Sequence, residues 1–498
     1  MKKTATLLLA FLIYVSANAQ LFGPNHHIIV YSTHAVDTTV ERPHNRATAL
    51  IRIAGDTLIQ YINRAKYTID IALYDFVEDS LWYEGGYVPP IHVAINNAYK
   101  RGVKIRWLSN PTDSSLGFTA TITPQYGLDS INKAIPTFAR TDTKGIMHNK
   151  FMIIDGLSTN KNDAIVWTGS MNWEPGQICK DINNIIIFQD SALAHAYLDE
   201  FNQMWGNTTE GAAATSSKAV FGANKKNNSK HSSVIDGHLV EVWFSPQAND
   251  STSNHIVSVE KSAKSEIDFE MFTFTYSTDA SPLVTANSGG IKVYGIMDQA
   301  SLTYSPYTTL SSAMGANLLV YKGLPGYDSN GICHSKYMIT DPCDMVADPK
   351  VLTGSHNWSS SAETANDENT VIVHDSSVAN QFYQAFHADF LAVSGAAGKA
   401  INLTHTCTSA PLAVNEIHNA DRVTLFPNPA TNSVKVTLNF PGNNVLYSVY
   451  DVTGKIVASG KLDARYVNTI DVSSFASGIY LMRVTSNADE YSCKFVKQ

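Results

Sequence analysis

The sequence lacks an excess of positive charge. Its 498 residues include 36 Lys and Arg against 44 Asp and Glu, which gives a formal net charge of −8 and a pI near 6.0. A broad cationic surface is the electrostatic footprint of proteins that track nucleic acid or an anionic bilayer, so this balance provides no general attraction to either. Any anion-binding site must therefore be local.

Charged residues are also few, at 16%, whereas apolar residues reach 44%. Such a composition can bury a large core and excludes a disordered chain. The length exceeds that of one ordinary domain and suggests about three domains.

Long apolar runs are confined to the N-terminus. There, Lys2 and Lys3 precede the short apolar stretch Leu7–Val15 and a small-x-small cleavage pattern at Ala17–Ala19. This predicts a signal peptide over residues 1–19, because a membrane anchor needs about 20 apolar residues. We therefore expect an exported, soluble protein.

Cysteine is scarce as well. The five copies are odd in number and show no metal-ligand spacing. Cys333 and Cys343 could pair in an oxidising compartment, with free buried thiols as the alternative.

What the sequence does contain is an internal repeat. GIMHNKFMIIDG (145–156) is matched 186 residues later by GICHSKYMITDP (331–342), and WTGSMNW (167–173) is matched by LTGSHNW (352–358). The polar residues that recur at matching positions are His148, Lys150, Asp155, Ser170 and Asn172 in the first copy and His334, Lys336, Asp341, Ser355 and Asn357 in the second.

Upstream segments repeat more weakly and predict the fold class. KYTIDIALYDF (66–76) parallels KSEIDFEMFTF (264–274), and both alternate in a strand-like manner after helix candidates at Ala47–Ala65 and Asn254–Ala263. Strands that alternate with helices indicate α/β layers around a mixed or parallel sheet. A period near 190 residues is too long for a solenoid, so we expect two similar α/β domains.

The predicted domain boundaries follow from composition. The two α/β domains cover residues 20–205 and 236–393, and residues 206–235, rich in Asn, Ser, Thr, Ala and Gly, are predicted to be a linker or surface loop.

The His-x-Lys spacing suits chemistry on an anion. Residues two apart in a strand face the same side, so His148 and Lys150 project together, as do His334 and Lys336. The ammonium supplies charge and the imidazole can attack or transfer a proton. With two such sets, one His can attack phosphorus while the other protonates the leaving oxygen, and the covalent phosphohistidine is then hydrolysed by water.

The doubled His-x-Lys-x4-Asp motif, followed each time by Gly-Ser-x-Asn, resembles the phospholipase D superfamily over residues 27–392. The resemblance implies two α/β/α domains related by a pseudo-two-fold axis, one shared site, and no metal or other cofactor. It implies that His148 is the nucleophile and His334 the acid. The remaining implied roles are phosphate binding by Lys150, Lys336, Asn172 and Asn357, binding nearby by Ser170 and Ser355, and bracing of the strands by Asp155 and Asp341.

The two copies differ at one position that matters for these roles. Glu368 lies eleven residues past Asn357, where the family often has a Glu that holds a histidine by its other nitrogen, and the same count from Asn172 reaches Asn183. A neutral amide raises histidine basicity less than a carboxylate does. Which histidine is the nucleophile therefore stays open.

The last part of the chain has a different pattern. Residues 394–416 are predicted to be a linker, and residues 417–498 contain short alternating strands separated by Gly, Asn and Pro, which predicts a small all-β sandwich. A carbohydrate-binding or stalk module is one interpretation. However, Phe426–Pro429, Asp451–Lys455, Gly478–Leu481 and Lys497 together resemble the type IX secretion sorting domain of Bacteroidetes. That resemblance implies recognition by the secretion machinery and a secreted or cell-surface protein.

Two substrate classes remain for the expected phosphodiesterase. The first is phospholipid, with headgroup hydrolysis during transient contact with a membrane surface. The alternative is a metal-independent nuclease that cuts DNA or RNA with the same residues. The negative charge balance argues against nucleic acid, because Lys225, Lys226, Lys230 and His231 form only one small basic cluster, predicted to be a solvated loop. A non-catalytic phosphate-binding module is a third hypothesis, which the intact residues in both copies disfavour.

Overall fold

The computed structural model describes residues 22, 26–42, 45–77, 82–83, 86–87, 89–111, 128–142, 144–160, 162–247, 249–324, 330–344, 347–398, 423–438, 445–451, 455–463, 466–486 and 489–498. The predicted signal peptide lies outside them. The chain divides into two units, Met1–Thr408 and Ser409–Gln498, and this boundary falls within the stretch 394–416.

The larger unit contains two halves. The elements of the first half are strands β1 (Ile28–Ser32), β2 (Thr48–Ala49), β3 (Thr68–Leu73), β4 (Trp82–Tyr83), β5 (Gly86–Tyr87), β6 (Lys104–Ser109), β7 (Thr137–Ala139), β8 (Lys150–Ile154), β9 (Ile165–Gly169) and β10 (Asn184–Phe188), with helices α1 (Ala54–Arg64), α2 (Ile91–Lys100), α3 (Pro175–Cys179) and α4 (Ser191–Trp205). The elements of the second half are strands β11 (Ser232–Ile235), β12 (His238–Ser245), β13 (Glu266–Met271), β14 (Lys292–Asp298), β15 (Leu318–Tyr321), β16 (Lys336–Thr340), β17 (Lys350–Gly354) and β18 (Glu368–Val373), with helices α5 (Thr252–Ser262), α6 (Ser277–Ser288), α7 (Ser305–Met314), α8 (Ser360–Thr364) and α9 (Ser376–Ala396).

Each half is built on one eight-stranded mixed sheet. The strand orders are β2-β1-β10-β9-β8-β3-β6-β7 and β11-β12-β18-β17-β16-β13-β14-β15. Apart from the edge strands β2 and β11, every strand has a counterpart at the same place in the other sheet. In both sheets, the strand that begins at the motif lysine pairs antiparallel with the strand that follows the first helix of that half, β8 with β3 and β16 with β13. The predicted pair of α/β repeats is confirmed.

Helix boundaries follow local sequence. The first helix begins at Ala54 rather than at Ala47, because Thr48 and Ala49 pair in parallel with β1 as a short strand. The second repeat's helix α5 begins after Ser251, whose side chain accepts a hydrogen bond from the backbone N–H of Asn254 and so caps the helix.

Three apolar cores hold the larger unit together. One lies under α1 and α2 and one under α5, α6 and α7, so each sheet has its own helical layer. The third joins both halves, with α4 and α9 packing on residues of both sheets. Because this shared core is continuous, the two halves fold as one body, and their facing strand ends are held together.

One sequence expectation is corrected within this unit. Residues 206–235 are not a linker or surface loop throughout, since Phe221 and Lys225 are buried and β11 joins the second sheet. Of the two alternatives for Cys333, the structure shows the free, buried thiol, whereas Cys343 is disulfide-bonded.

The C-terminal unit is all-β, as predicted. Its strands are β19 (Val423–Phe426), β20 (Ser433–Leu438), β21 (Val445–Tyr450), β22 (Ile456–Leu462), β23 (Asn468–Asp471), β24 (Gly478–Ser486) and β25 (Asp489–Lys497). They form the sheets β19-β20-β23 and β22-β21-β24-β25, and one apolar core takes side chains from both. Within the described residues of the whole chain, no helix combines the length and apolarity that crossing a bilayer requires.

Candidate active site

The two His-x-Lys motifs lie where β8 and β16 begin. Lys150 and Lys336 each donate a hydrogen bond from Nζ to the carbonyl oxygen of the histidine two residues earlier, at 2.8 and 2.7 Å. The intervening Asn149 belongs to the opposite face, where its Oδ1 accepts from Asn369 Nδ2 at 3.1 Å. The period-2 alternation of a strand therefore places each His and Lys together, as the spacing predicts.

Each histidine segment pairs with backbone from the other half. The backbone N–H of His148 donates to the carbonyl of Asp367 at 3.0 Å, and the backbone N–H of His334 donates to the carbonyl of Ile182 at 2.8 Å. Asp367 and Ile182 occupy equivalent positions. Asp367 directly precedes β18, and Ile182 lies two residues before the first residue of β10. The halves are thus joined by two matching backbone contacts, one beside each histidine.

The imidazole partners cross between the halves in the same way. His148 Nδ1 lies 2.8 Å from Glu368 Oε2, and His334 Nδ1 lies 3.0 Å from Asn183 Oδ1. Both partners are acceptors, so the Nδ1 atoms carry the protons. This leaves each Nε2 unprotonated in the neutral ring and available for attack or for proton transfer.

The two motif serines hold these partners. Ser355 Oγ donates to Glu368 Oε2 at 2.6 Å, and Ser170 Oγ donates to Asn183 Oδ1 at 2.9 Å. Each serine Oγ also accepts a hydrogen bond from a backbone N–H, that of Asn369 in β18 for Ser355 and that of Asn184 in β10 for Ser170. The structure therefore directs the serine protons to the imidazole partners and not to a phosphate.

The two motif asparagines retain unused hydrogen-bonding capacity. Among the described residues, Oδ1 of Asn172 and of Asn357 is buried without a partner. Asn172 is nevertheless fixed, because its backbone N–H donates to Gln177 Oε1 at 2.8 Å. Buried polar groups are normally satisfied, so these oxygens are candidates to accept a hydrogen bond from a donor that enters the site.

The motif aspartates lie elsewhere. Asp155 follows β8, about 16 Å along the strand from Lys150, and accepts hydrogen bonds from the backbone of Lys66, Tyr67 and Thr68. Asp341 binds the backbone of residues 264–266 in the same way. Both carboxylates therefore lie at the ends of their strands away from the His-x-Lys pairs, and their contacts match the implied bracing of a neighbouring strand.

Sequence reasoning missed two aromatic members of the site. The Tyr74 ring lies 4.9 Å from the His148 ring and 5.0 Å from Lys150 Nζ, measured from its centroid. Phe272 has the same relation to His334 and Lys336, at 4.8 and 5.2 Å. The signal was available, because both rings occupy the ninth position of the repeated segments 66–76 and 264–274.

Burial and mutual repulsion discharge the cationic groups of this site. Desolvation, with Lys150 and Lys336 nearby, lowers the pKa of His148 to about 4 against the opposing effect of Glu368. Desolvation also lowers the pKa of Lys150 to about 7 and the pKa of Lys336 well below its usual range.

The same effects reach across the halves. The pKa of His334 is held well below its ordinary value by burial, then by Lys336, Lys150 and His148. Glu368 is stabilised as a carboxylate: burial acts to raise its pKa, but His148 and Lys150 lower it to about 2. Residues of both motifs therefore share one electrostatic site, and an entering anion would favour the protonated forms of its imidazoles and ammonium groups.

A carboxyl pair distinguishes the first half of the site. Asp75 and Glu174 share a hydrogen bond, and the backbone N–H of Trp173 donates to the carbonyl of Asp75 at 3.1 Å. Burial, followed by Asp75, raises the pKa of Glu174 to about 7, while Lys150 opposes the shift. The equivalent positions in the second half are Thr273 and Ser359, which carry no charge.

Comparison with known families gives two matches. A model described as cardiolipin synthase, PLD-like domain, matches residues 58–205 and 256–390, and a model described as secretion system C-terminal sorting domain matches residues 424–498.

Individual relatives match over smaller parts. A mitochondrial cardiolipin hydrolase of Drosophila melanogaster is 30% identical over 162 residues, which is 30% of this chain and 57% of the relative. A phospholipase D of Rickettsia prowazekii is 27% identical over 169 residues, covering 34% of this chain and 76% of the relative. A solved phospholipase D family member, Nuc from Salmonella typhimurium, aligns with 31% of this chain and 94% of its own at 25% identity and a TM-score of 0.26. The chain thus spans just over half the length of the first of these relatives.

Proposed function

The chain belongs to the family described as cardiolipin synthase, PLD-like domain, and from that premise we propose that it is a phosphodiesterase that hydrolyses phospholipid headgroups through a phosphohistidine intermediate. The observation that carries the proposal is the crossed pairing of His148 with Glu368 and of His334 with Asn183. It holds two imidazoles from opposite halves by Nδ1 and leaves both Nε2 atoms for chemistry.

The crossed partners support His148 as the nucleophile. When Nε2 attacks phosphorus, a P–N bond forms and the ring becomes positive while Nδ1 keeps its proton. A carboxylate on that proton stabilises the positive ring more than an amide does, and Glu368 is the partner of His148. The P–O bond to the leaving alcohol breaks, and that oxygen takes a proton from His334 Nε2.

Hydrolysis of the intermediate reverses the roles. The now neutral His334 removes a proton from water, the water oxygen attacks phosphorus, and the P–N bond to His148 breaks. Lys150, Lys336, Asn172 and Asn357 are proposed to hold the phosphate oxygens throughout. Burial lowers the pKa values of Lys150 and His334. A bound phosphate anion favours their protonated forms, and the protons come from solvent.

The carboxyl pair Asp75 and Glu174 favours lipid over nucleic acid as the substrate. A nucleic acid presents further phosphates on both sides of the scissile one, and these would meet negative charge beside Lys150. A phospholipid presents one phosphodiester with an apolar body, so it avoids this repulsion.

The substrate class is tested by two parallel assays on the purified protein without residues 1–19, both with chelator present. We expect headgroup release from phosphatidylcholine vesicles and no nicking of plasmid DNA, with His148→Ala inactive in both assays. Nicking without headgroup release would replace the lipid proposal with the nuclease alternative. A strict requirement for added metal would overturn the mechanism itself.

The C-terminal unit is proposed to direct export and to take no part in catalysis. Its match to a secretion sorting domain is the support for this proposal. Removal of residues 417–498 should leave the specific activity of the purified protein unchanged while it abolishes delivery to the cell surface or medium. Normal delivery of the truncated chain would contradict the assignment.

A further inference from the structure

Lys225 is a fully buried lysine in the segment that connects the two halves. Only 1% of its surface is exposed, although its neighbour Lys226 is exposed. Its ammonium contacts Glu200 of α4, lies 3.0 Å from Asp367 Oδ1, and donates to the carbonyl of Ser245 at 3.2 Å. Burial acts to lower the pKa of Lys225, but Asp367 and Glu200 outweigh it and raise the pKa, so the ammonium stays charged.

Asp367 makes further hydrogen bonds besides its contact with Lys225. Its Oδ1 also accepts the backbone N–H of Gly222 at 2.8 Å, and its Oδ2 accepts from Arg140 Nη1 at 2.8 Å. We call Lys225, Glu200, Asp367 and Arg140 the Lys225 ion cluster. Arg140 also pairs with Asp142 at 2.7 Å, so the two cations face three carboxylates. Removing the charge of Lys225 would leave buried carboxylate charge uncompensated.

The cluster is attached directly to the imidazole of the first motif. The carbonyl of Asp367 accepts the His148 backbone N–H at 3.0 Å, and its own N–H donates to the carbonyl of Ile146 at 2.9 Å. The next residue is Glu368, which holds His148 Nδ1. Fixing Asp367 therefore fixes both the backbone of His148 and the carboxylate that orients its ring.

The other half shows that the fold does not need this cluster. There the same backbone contact to the histidine is made by Ile182, an apolar residue at the position equivalent to Asp367. An aliphatic side chain is thus sufficient for the architecture. The charged residue at this position, Asp367, lies beside His148, the histidine whose imidazole has a carboxylate partner.

We propose that Lys225 is a positioning residue for His148, which acts by holding Asp367 and thereby the Glu368 carboxylate in register with the imidazole. The segment that connects the two halves thus supplies a group on which the nucleophile depends. The inference rests on the proposed function for its kinetic readout only, because the state of the His148 ring can be measured in the resting protein.

The test compares Lys225→Met, which keeps the length of the side chain and removes its charge, with Lys226→Met as the matched surface control. Turnover is followed on bis(p-nitrophenyl) phosphate, and the His148 ring is titrated by NMR of histidine-labelled protein, assigned with His148→Gln. We expect Lys225→Met to lower kcat about 10- to 100-fold with KM changed less than about threefold, as for a misplaced catalytic group. The His148 titration should shift to lower pH because the Glu368 contact is weakened.

Lys225→Arg should recover most of the loss, and Lys226→Met should match the parent protein. If Lys225→Met does not fold, the charge-balanced Lys225→Met/Glu200→Gln variant is expected to show the same two changes. An unchanged His148 titration and an unchanged kcat per folded molecule would overturn the inference and leave Lys225 with a structural role. If the parent protein cleaves no phosphodiester while the titration still shifts, the proposed function fails and the positioning role stands.

Discussion

The two halves share one strand order but treat buried charge differently. In the first half, Asp70 of β3 accepts a hydrogen bond from Arg106 Nε of β6 at 2.5 Å. In the second half, the equivalent strand carries Glu266, Asp268 and Glu270 on one face, and the residue that pairs in register with Asp268 is Tyr294. One sheet neutralises its buried carboxylate with a cation. In the other sheet, burial raises the pKa of all three carboxyls and favours their protonated forms, against the opposing charge of Lys292, which pairs in register with Glu266.

The same divergence surrounds the two imidazoles. His148 has a carboxylate partner, a carboxyl pair nearby and the Lys225 ion cluster behind it, whereas His334 has an amide partner and Ile182. The difference teaches that the two halves can share their backbone contacts while the charges around those contacts differ. We expect substitutions in the two halves to have unequal effects wherever the charges differ.

The largest expected effect separates the two histidines. His148→Ala should reduce turnover on the order of 10⁴-fold or more and form no covalent phosphoenzyme. His334→Ala should be similarly slow at steady state yet accumulate phosphohistidine with an activated p-nitrophenyl ester, whose leaving group needs no proton. Mass spectrometry of acid-sensitive phosphorylation decides between them, and phosphate retained on the His148→Ala variant would reverse the assignment.

A stability experiment separates the two ways of neutralising buried carboxyls. Arg106→Met should lower the free energy of unfolding by about 3–5 kcal/mol, because it leaves Asp70 buried without a cation. Asp268→Asn should change it by less than about 1 kcal/mol near neutral pH, since an amide resembles the protonated acid it replaces. Denaturant titration measures both changes. The double variant Arg106→Met/Asp70→Asn should recover most of the loss, and equal effects of the two single variants would break the comparison.

Replacing the residues that hold the two imidazoles should have a smaller effect, which appears in kcat. Glu368→Gln should lower kcat about 100-fold with little change in KM, because the positive phosphohistidine loses its carboxylate. Asn183→Asp gives His334 a carboxylate partner, as His148 has. It should therefore raise the pKa of His334 and move the pH dependence of kcat to higher pH. Kinetics across pH measure both changes. An effect of Asn183→Asp as large as that of Glu368→Gln would contradict the assigned division of labour.

The most gradual expected effect is a pH dependence of stability that originates in the second half. A carboxyl whose pKa is raised by folding contributes stability below its unfolded pKa, near 4.5, and this contribution is lost as pH rises through the folded pKa. For Glu266 the folded pKa is about 7, so the free energy of unfolding should fall between about pH 4.5 and 7, by up to about 1.4 kcal/mol per pH unit. Glu266→Gln should flatten this slope, and a slope that persists unchanged would locate its origin elsewhere.

The sequence alone was sufficient for the repeat and for the core of the site. Strand alternation places each His beside its Lys, and counting from the Gly-Ser-x-Asn segments finds Glu368 and Asn183, which the structure brings to the imidazoles. The first of these patterns depends on the two-residue repeat of a strand. The second depends on the resemblance to the family, because a helix separates Asn357 from Glu368.

The remaining features depend on contacts between distant segments. Lys225 looks like a loop lysine in the sequence, and only the meeting of α4 with the residue before β18 makes it a buried cation. Asp155 shares a motif with His148 but lies at the other end of β8. Neither fact follows from local spacing, because each is decided by which strand ends the fold brings together.

The crossed imidazole partners set a limit on how such a protein can be assembled. Two identical subunits related by exact symmetry would have to give both rings the same partner, either carboxylate or amide. A single polypeptide escapes that constraint, because its two halves differ in sequence. One half can therefore supply Glu368 to His148 while the other supplies Asn183 to His334. Chains split at the connecting segment should therefore regain a working centre only when unlike halves are mixed.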